Sequence, residues 1–460
     1  MNQPGTAKAC KASTTKGFQK QVLLQVLIFN LIILGMPLLM KAQSPNDSIL
    51  REVTIQSAID YAIKRHPAIL QSSIDERITE ANIRSRLSEW YPQLNFNYNL
   101  QHNFIVQKTM IGGNTVQVGS DNTSSGQFSV SQYIFNRNVL LANRTKDDVR
   151  LQSRQFTSSD KIDLAVNVSK AFYDVLSTLQ QIKVAEENIR RIERSLQDAL
   201  NQYKAGITDK IDYKRATITL NNTKATRNSN QELLGAKLEY LKSLMNYPAT
   251  EKLHMVYDTL QMENEILIDT LQVADYRTRI EFKILETRKR LLITNVKYSR
   301  WSYLPSLSAN GAYNLNFQNN NFGKLYGKNY PNSYAALTLG LPIFQGGKRK
   351  AEIREAELQL QRNELDIIGL RNTINASYAR ALASYKANLV NYLALKENVD
   401  LAKEVYNVIQ LQYRSGIKTY LEVITSETDL RTAQINYYNA LYQVLASKID
   451  VQKELGQMNY

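Results

Sequence analysis

The feature that most constrains the fold of this chain is an internal duplication. The segment 202–207 (Gln-Tyr-Lys-Ala-Gly-Ile) returns 210 positions later as 412–417 (Gln-Tyr-Arg-Ser-Gly-Ile). Three shorter pairs recur in the same order and at nearly the same offset: Tyr91-Pro92 with Leu304-Pro305, Ile134-Phe135 with Ile343-Phe344, and Glu187-Asn188 with Glu397-Asn398. The sequence therefore predicts one structural unit present twice, over residues 43–247 and 273–460, with an acidic linker at 248–272.

Two stretches lack the residues that end helices. Residues 138–204 contain no Pro or Gly, and residues 348–415 contain no Pro and one glycine, Gly369. At 1.5 Å per residue, each could form a helix about 100 Å long. Within the first stretch, apolar residues recur at spacings of three and four, which is typical of a packing seam: Ile182, Ala185, Ile189, Ile192, Leu196 and Leu200. Taken alone, this pattern also fits a solvated coiled-coil stalk.

The remaining regular pattern has a period of two. Residues 94–103 and 306–318 alternate apolar side chains with Asn, Ser and Gln, and shorter partners follow at 127–134 and 334–343. Strands of about 10 residues with one apolar face can cross a bilayer at a tilt. An ordinary β-sandwich with one solvated face has the same alternation. We expect the connections 104–125 and 318–333, rich in Asn, Gly and Ser, to be loops on one side of these strands.

The first 42 residues have the composition of a secretory signal peptide. They hold five lysines and no acidic residue, an apolar run at 22–40 and a small-residue junction near Ala42. A retained membrane anchor is the alternative, although Gln25, Asn30 and Pro37 interrupt the apolar run. Removing this segment would remove Cys10, the only cysteine, and would leave a net charge of +10 from the +15 of the whole chain. These charges are interleaved with acids, so they do not indicate a nucleic-acid-binding stripe.

Residues for catalysis or for binding a metal or cofactor are not apparent in the sequence. The three histidines lie far apart, and no nucleophile elbow or dinucleotide fingerprint occurs. Gly346-Gly347-Lys348 resembles part of a phosphate loop, but Arg349 occupies the position of the magnesium-binding Ser or Thr. We therefore predict that the protein is not an enzyme, and that it carries no metal and no cofactor. Gly346 and Gly347 are expected to form a structural turn.

Taken together, these motifs resemble the TolC family of outer-membrane efflux proteins over essentially the whole mature chain. The resemblance rests on Leu304-Pro305 before an alternating strand, the segment 341–347 (Leu-Pro-Ile-Phe-Gln-Gly-Gly) before a long helix, and the segment 413–416. It implies a mainly helical protein with β-structure. In that fold, three copies each give four strands to a twelve-stranded barrel, and antiparallel coiled-coil helices form a periplasmic tunnel. In the first of the two internal repeats, residues 136–138 (Asn-Arg-Asn) depart from this pattern at the turn between strand and helix.

The resemblance also implies a function and partners. The protein would be a passive outer-membrane duct for efflux or secretion, assembled as a homotrimer in outer-membrane lipid. A periplasmic adaptor and an inner-membrane transporter would complete the system, and the cargo is not predicted. A soluble periplasmic coiled-coil scaffold or adaptor is the alternative, and the duplicated Asn-alternating strands argue against it.

The repeated turns contain the candidate site. Gly206 and Gly416 suit the left-handed position after a helix, and Asp212 and Glu422 each lie six residues further on. Thr419 and Glu422 fit a capping box, which Asp209 and Asp212 approximate. The family resemblance implies a constriction at this end, formed by four residues: Asp212, Tyr413, Lys418 and Glu422. Thr425 departs from the family pattern, which has a second acid there. Capping alone and capping combined with gating both remain open.

Overall fold

The structure is a computed structural model that describes residue 50 and residues 52–257, 259–458 and 460. The predicted signal peptide, residues 1–42, lies outside the described residues. The described part is mainly helical with some β-structure, as predicted. None of its helices is both long enough and apolar enough to cross a membrane.

Eight helices occur in the described residues: α1 (Ile55–Arg65), α2 (Pro67–Ser88), α3 (Arg137–Lys204), α4 (Lys210–Met245), α5 (Thr259–Asn264), α6 (Ile280–Arg300), α7 (Lys348–Arg414) and α8 (Tyr420–Glu454). The two longest, α3 and α7, have 68 and 67 residues and begin and end within one residue of the stretches without Pro. Each forms a hairpin with the helix that follows it.

The four long helices pack side by side. Helix α7 packs along α8, α8 along α3, and α3 along α4, so α7 and α4 are the two ends of the row. Helix α3, in the middle, buries 23 side chains, whereas α7, of nearly equal length, buries only seven. Three of the seven are tyrosines on one narrow stripe: Tyr385, Tyr392 and Tyr406. Most of the surface of α7 is therefore uncovered within one chain.

The main sheet contains four strands in the order β2-β5-β7-β8, all antiparallel: β2 (Gln93–His102), β5 (Asn122–Phe135), β7 (Ser306–Asn319) and β8 (Asn332–Gly340). Leu94 is paired with Val130, and Phe96 with Phe128. Because successive side chains of a strand point to opposite faces, the apolar residues share one face and the asparagines Asn95, Asn97 and Asn99 share the other. The predicted period-two pattern is thus realised in the sheet.

Two predicted boundaries of these strands are wrong. Strand β8 ends at Gly340, so Ile343-Phe344 does not close a strand as Ile134-Phe135 does. The reason is the partner strand: β7 begins at Ser306, which pairs with Gly340, and the ladder has no residue left for 341–344. Strand β5 in turn begins at Asn122, five residues before the predicted start, because both β2 and β7 pair with this polar segment.

Smaller elements complete the described chain. The connection between β2 and β5 contains a separate hairpin of β3 (Lys108–Ile111) and β4 (Asn114–Gln117), where the sequence predicted only a loop. Strand β1 (Glu52–Val53) pairs with β6 (His254–Met255), which lies in the acidic linker together with α5. The Glu263 carboxylate of α5 accepts a hydrogen bond from Lys396 at 2.5 Å and thereby fixes the linker to α7.

Candidate functional site at the tip of the helical hairpins

The two turns between the long helices have the same backbone geometry. Gly206 and Gly416 have φ angles of 72° and 73°, a left-handed conformation that L side chains rarely adopt. In the second turn, the Gly416 N–H donates to the Tyr413 carbonyl at 3.0 Å, and the Ile417 N–H donates to the Gln412 carbonyl at 2.9 Å. The equivalent bonds of the first turn measure 3.0 and 2.9 Å. Both are Schellman motifs, which explains why glycine occupies both positions.

Glu422 caps the helix that follows the second turn. The predicted capping box with Thr419 is present, and the carboxylate accepts from the Thr419 N–H at 2.9 Å and the Thr419 hydroxyl at 3.0 Å. It also accepts from Lys418 Nζ at 2.6 Å. The hydrogen bond from Lys418 and those from Thr419 lower the pKa of Glu422 to about 2. This carboxylate therefore remains charged at any physiological pH.

The first turn lacks the equivalent cap. Asp209 makes no side-chain hydrogen bond at the start of α4, and the Asp212 N–H meets only the Asp209 carbonyl, at 3.4 Å. The approximate capping box predicted for these two aspartates is therefore wrong, because aspartate is one methylene shorter than the Glu of that motif.

Tyr413 links the ends of the two hairpins. Its hydroxyl donates to Gln202 Oε1 at 3.0 Å, joining the last turn of α7 to the last turn of α3. Burial raises the pKa of Tyr413, and the nearby negative charge of Asp212 raises it further. The fold thus brings Tyr413 close to Asp212, while Lys418 and Glu422 form a separate pair at the same end.

A small apolar cluster holds this end of the four helices together. Its buried members are Ala199, Ala216, Tyr420 and Val423, one or two from each of α3, α4 and α8. Half-buried side chains pack against it, including Ile409 and Tyr413 of α7. All four long helices therefore meet just behind the turns.

One buried acid at this end was missed in the sequence. Glu427 of α8 is only 3% exposed, and its Oε1 lies 3.6 Å from Arg191 Nε of α3, beyond hydrogen-bond distance. Burial raises the pKa of Glu427 to about 7. A signal was available, because Glu427 continues a seam of spacing three and four through Tyr420, Val423 and Leu430, where an acid is out of place.

The glycine turn before α7 is structural. Gly346 and Gly347 have φ angles of 55° and 85°, and Gly347 is the N-cap of α7. At the start of α3, Asn136 is the cap instead, and its side chain accepts a hydrogen bond from the Asn138 N–H at 2.8 Å. The departure at 136–138 thus replaces a glycine turn with a side-chain cap. Within the described ranges, no group of three or more His, Cys, Asp or Glu residues is placed to hold a metal ion.

Comparison with known proteins identifies the family. A family model described as "Outer membrane efflux protein" matches residues 58–246 and 286–457. The chain is similar to the outer membrane protein TolC of Escherichia coli, with 17% identity over 350 residues, covering 74% of this chain and 71% of that protein. It is also similar to the proteases secretion protein PrtF of Dickeya chrysanthemi, with 20% identity over 385 residues and 80% of each chain covered.

Solved structures share this fold. A crystal structure of CusC aligns with a TM-score of 0.71 at 16% identity, covering 87% of this chain and 91% of that one. The CmeC outer membrane channel of Campylobacter jejuni aligns with a TM-score of 0.68 at 15% identity, covering 90% of each chain. The chain belongs to the Outer membrane efflux protein family, of which TolC is a member. It is an outer-membrane channel for efflux or secretion, and the alternative of a soluble scaffold is not supported.

Proposed function

We propose that this protein is a passive exit duct, assembled from three copies around an axis parallel to the long helices. The observation that carries the proposal is that one chain leaves matching open ends in both its sheet and its row of helices. Three is the number implied by the resemblance to the TolC family. Two structural repeats in each chain, 43–247 and 273–460, would then give the ring a pseudo-sixfold pattern.

The open ends of the sheet are complementary in direction. Strands β2 and β8 are the two edges, and because every neighbouring pair is antiparallel, β2 and β8 also run in opposite directions. The β8 edge of one copy can therefore pair with the β2 edge of the next in the same antiparallel pattern. Unpaired edges are not tolerated in lipid, so strands that cross a bilayer need such closure. Three copies would supply twelve strands.

The open ends of the helix row are also complementary. The outer side of α4 exposes Ile211 and Ile218 at 48% and 60%, and the outer side of α7 exposes Val405 and Val408 at 53% and 47%. Val408 lies about 160° around α7 from the buried Tyr406 stripe, and Ile218 has the same relation to the buried Ala216. Joining α4 of one copy to α7 of the next is a heterologous contact, which closes into a ring.

The heights of these apolar patches match. Ala216 and Ile409, the neighbours of Ile218 and Val408, belong to the same tip cluster. A rotation about an axis parallel to the helices leaves heights unchanged, so Ile218 of one copy meets the next copy at the level of Val408.

Cysteine crosslinking tests this arrangement. The only cysteine, Cys10, lies in the predicted signal peptide, so the mature chain supplies no competing thiol. The double variant Ile218→Cys with Val408→Cys should give covalent trimers on oxidation, and neither single variant should. The matched control is Ile218→Cys with Leu365→Cys, an exposed residue about 65 Å further along α7. Equal crosslinking of both pairs, or none of the first pair in folded protein, would refute the ring.

The proposed duct performs no reaction. An inner-membrane transporter would supply the energy, and a periplasmic adaptor would connect it to the helical tip. The relatives include proteins named for protease secretion and for toluene efflux, so the family resemblance does not single out one cargo. In this proposal, Asp212, Tyr413, Lys418 and Glu422 line the constriction at the tip, where threefold symmetry brings three sets together.

A further inference from the structure

Among the described residues, Glu427 is the most deeply buried charged residue, with 3% of its surface exposed. Its side chain is buried among the long helices, one helical turn along α8 from Val423 of the apolar cluster. Its Oε1 has no hydrogen-bond donor. The nearest cationic atom is Arg191 Nε at 3.6 Å, which likewise has no hydrogen-bond partner. The ion pair is therefore incomplete. A buried carboxylate that is not well paired is destabilised in its charged form.

The surroundings of Glu427 involve all four long helices. Arg191 belongs to α3, and its guanidinium lies over the ring of Tyr406, which belongs to α7. Arg431 is on α8 itself. Arg431 donates to the Thr223 hydroxyl of α4 at 3.1 Å. Tyr420 is also on α8, nearer the tip, and its pKa is raised by burial and by the negative charge of Glu427. Movement of α8 away from α3 would therefore change the environment of Glu427 more than that of any exposed acid.

The carboxyl group can relieve its incomplete pairing in two ways. It can bind a proton, which removes the buried charge while α8 stays against α3. It can instead remain charged and meet water, which requires α8 to separate from α3 at this level. These two states differ in proton binding, so the balance between them depends on pH.

We propose that Glu427 is a proton-linked positioning residue for the tip: protonation of its carboxyl group favours α8 packed on α3, and loss of that proton favours α8 displaced, with a wider tip. This inference rests on the proposed function for its channel readout. The packed state holds the proton with a pKa of about 7, against an ordinary value of 4.5 for an exposed glutamate. The packed state therefore loses its advantage as pH rises from 4.5 to about 7, and little further change follows above 7.

Two measurements on the full trimer test the proposal. In planar bilayers, the open-to-closed ratio of the parent should rise with pH over this window, by up to about tenfold per pH unit for each copy. Spin labels on Ser415→Cys, in the turn that joins α7 to α8, one per copy, should move apart over the same window in detergent, whether or not the trimer conducts. Glu427→Gln mimics the protonated group and should show neither change. Asp429→Asn, which changes an exposed acid on the same helix, should keep both.

The outcomes separate the two proposals. A trimer that shows no conductance would contradict the duct while the spin labels still test Glu427. A parent whose tip distances do not change with pH, or a Glu427→Gln variant that keeps the pH dependence, would overturn the role of Glu427. Arg191→Met provides a second variant, because removing the cation should raise the pKa of Glu427 and move the transition to higher pH. An unmoved transition in Arg191→Met would also count against the proposal.

Discussion

The left-handed turns at the tip allow a quantitative prediction. Replacing Gly416 with Ala keeps φ near 73° only at a conformational cost, which for an L side chain is about 1–2 kcal/mol. A Cβ at this position would meet no atom within 4 Å, so the cost has no steric part that a neighbour could relax. We therefore expect the Schellman turn to open more often by a factor of roughly 5–30.

Limited trypsin digestion of the assembled protein measures this opening. Arg414 and Lys418 flank the turn, and cleavage there follows the population of the open turn when opening is fast relative to cutting. Gly416→Ala should be cut at these two sites roughly 5–30 times faster than the parent. Gly206→Ala should behave in the same way at Lys204 and Lys210 of the first turn.

The matched control is Gly369→Ala in the same long helix. Gly369 is exposed in the middle of α7, and a Cβ there also meets no atom within 4 Å. Alanine should stabilise this helix by about 0.5–1 kcal/mol and leave cleavage at the tip unchanged. If Gly416→Ala is cut no faster than Gly369→Ala, the turn is not left-handed in the assembled protein and the reasoning fails.

Three further predictions concern the proposed constriction and the loops. Glu422→Gln should keep the fold and reduce block by multivalent cations added from the periplasmic side in planar bilayers, and an unchanged variant would leave Glu422 as a cap only. Because the pKa of Glu422 is about 2, block of the parent should be constant between pH 7 and 8, where the packing around Glu427 no longer changes. Tyr413→Phe removes the hydrogen bond to Gln202 and should raise the conductance, whereas a parental value would place the constriction elsewhere. Tags at Gly113 or Asn320 should be reached by antibody on intact cells, and access only after opening the outer membrane would mean an inverted topology.

The local elements of this protein follow closely from its sequence. Helices α3 and α7 end where the sequence ends them, because Gly206 and Gly416 are the residues that can leave a helix in the left-handed conformation. The alternation in β2 and β7 specified two-faced strands, because a period of two needs no information from a partner. Glu422 was found as a cap for the same reason, since its interactions lie within four residues.

Other features depended on which elements meet. The end of β8 at Gly340 is set by the start of β7 at Ser306, and the early start of β5 at Asn122 by pairing on both sides. No pattern within 334–343 or 118–126 carries that information. The sequence also did not give the order of the helix row, although that order decides which faces stay uncovered.

Glu427 shows most clearly which property could not be predicted from the sequence. Its position on an apolar seam is written in the sequence, but a glutamate there could have turned to water or found a complete ion pair. The packing of α3 against α8 leaves Arg191 too far from Glu427 to form a hydrogen bond. The sequence predicts the features that depend on neighbours along the chain: helix lengths, the two turns and the faces of the strands. The packing of distant helices decided burial and charge, because the free energy of a buried carboxylate depends on groups hundreds of residues away.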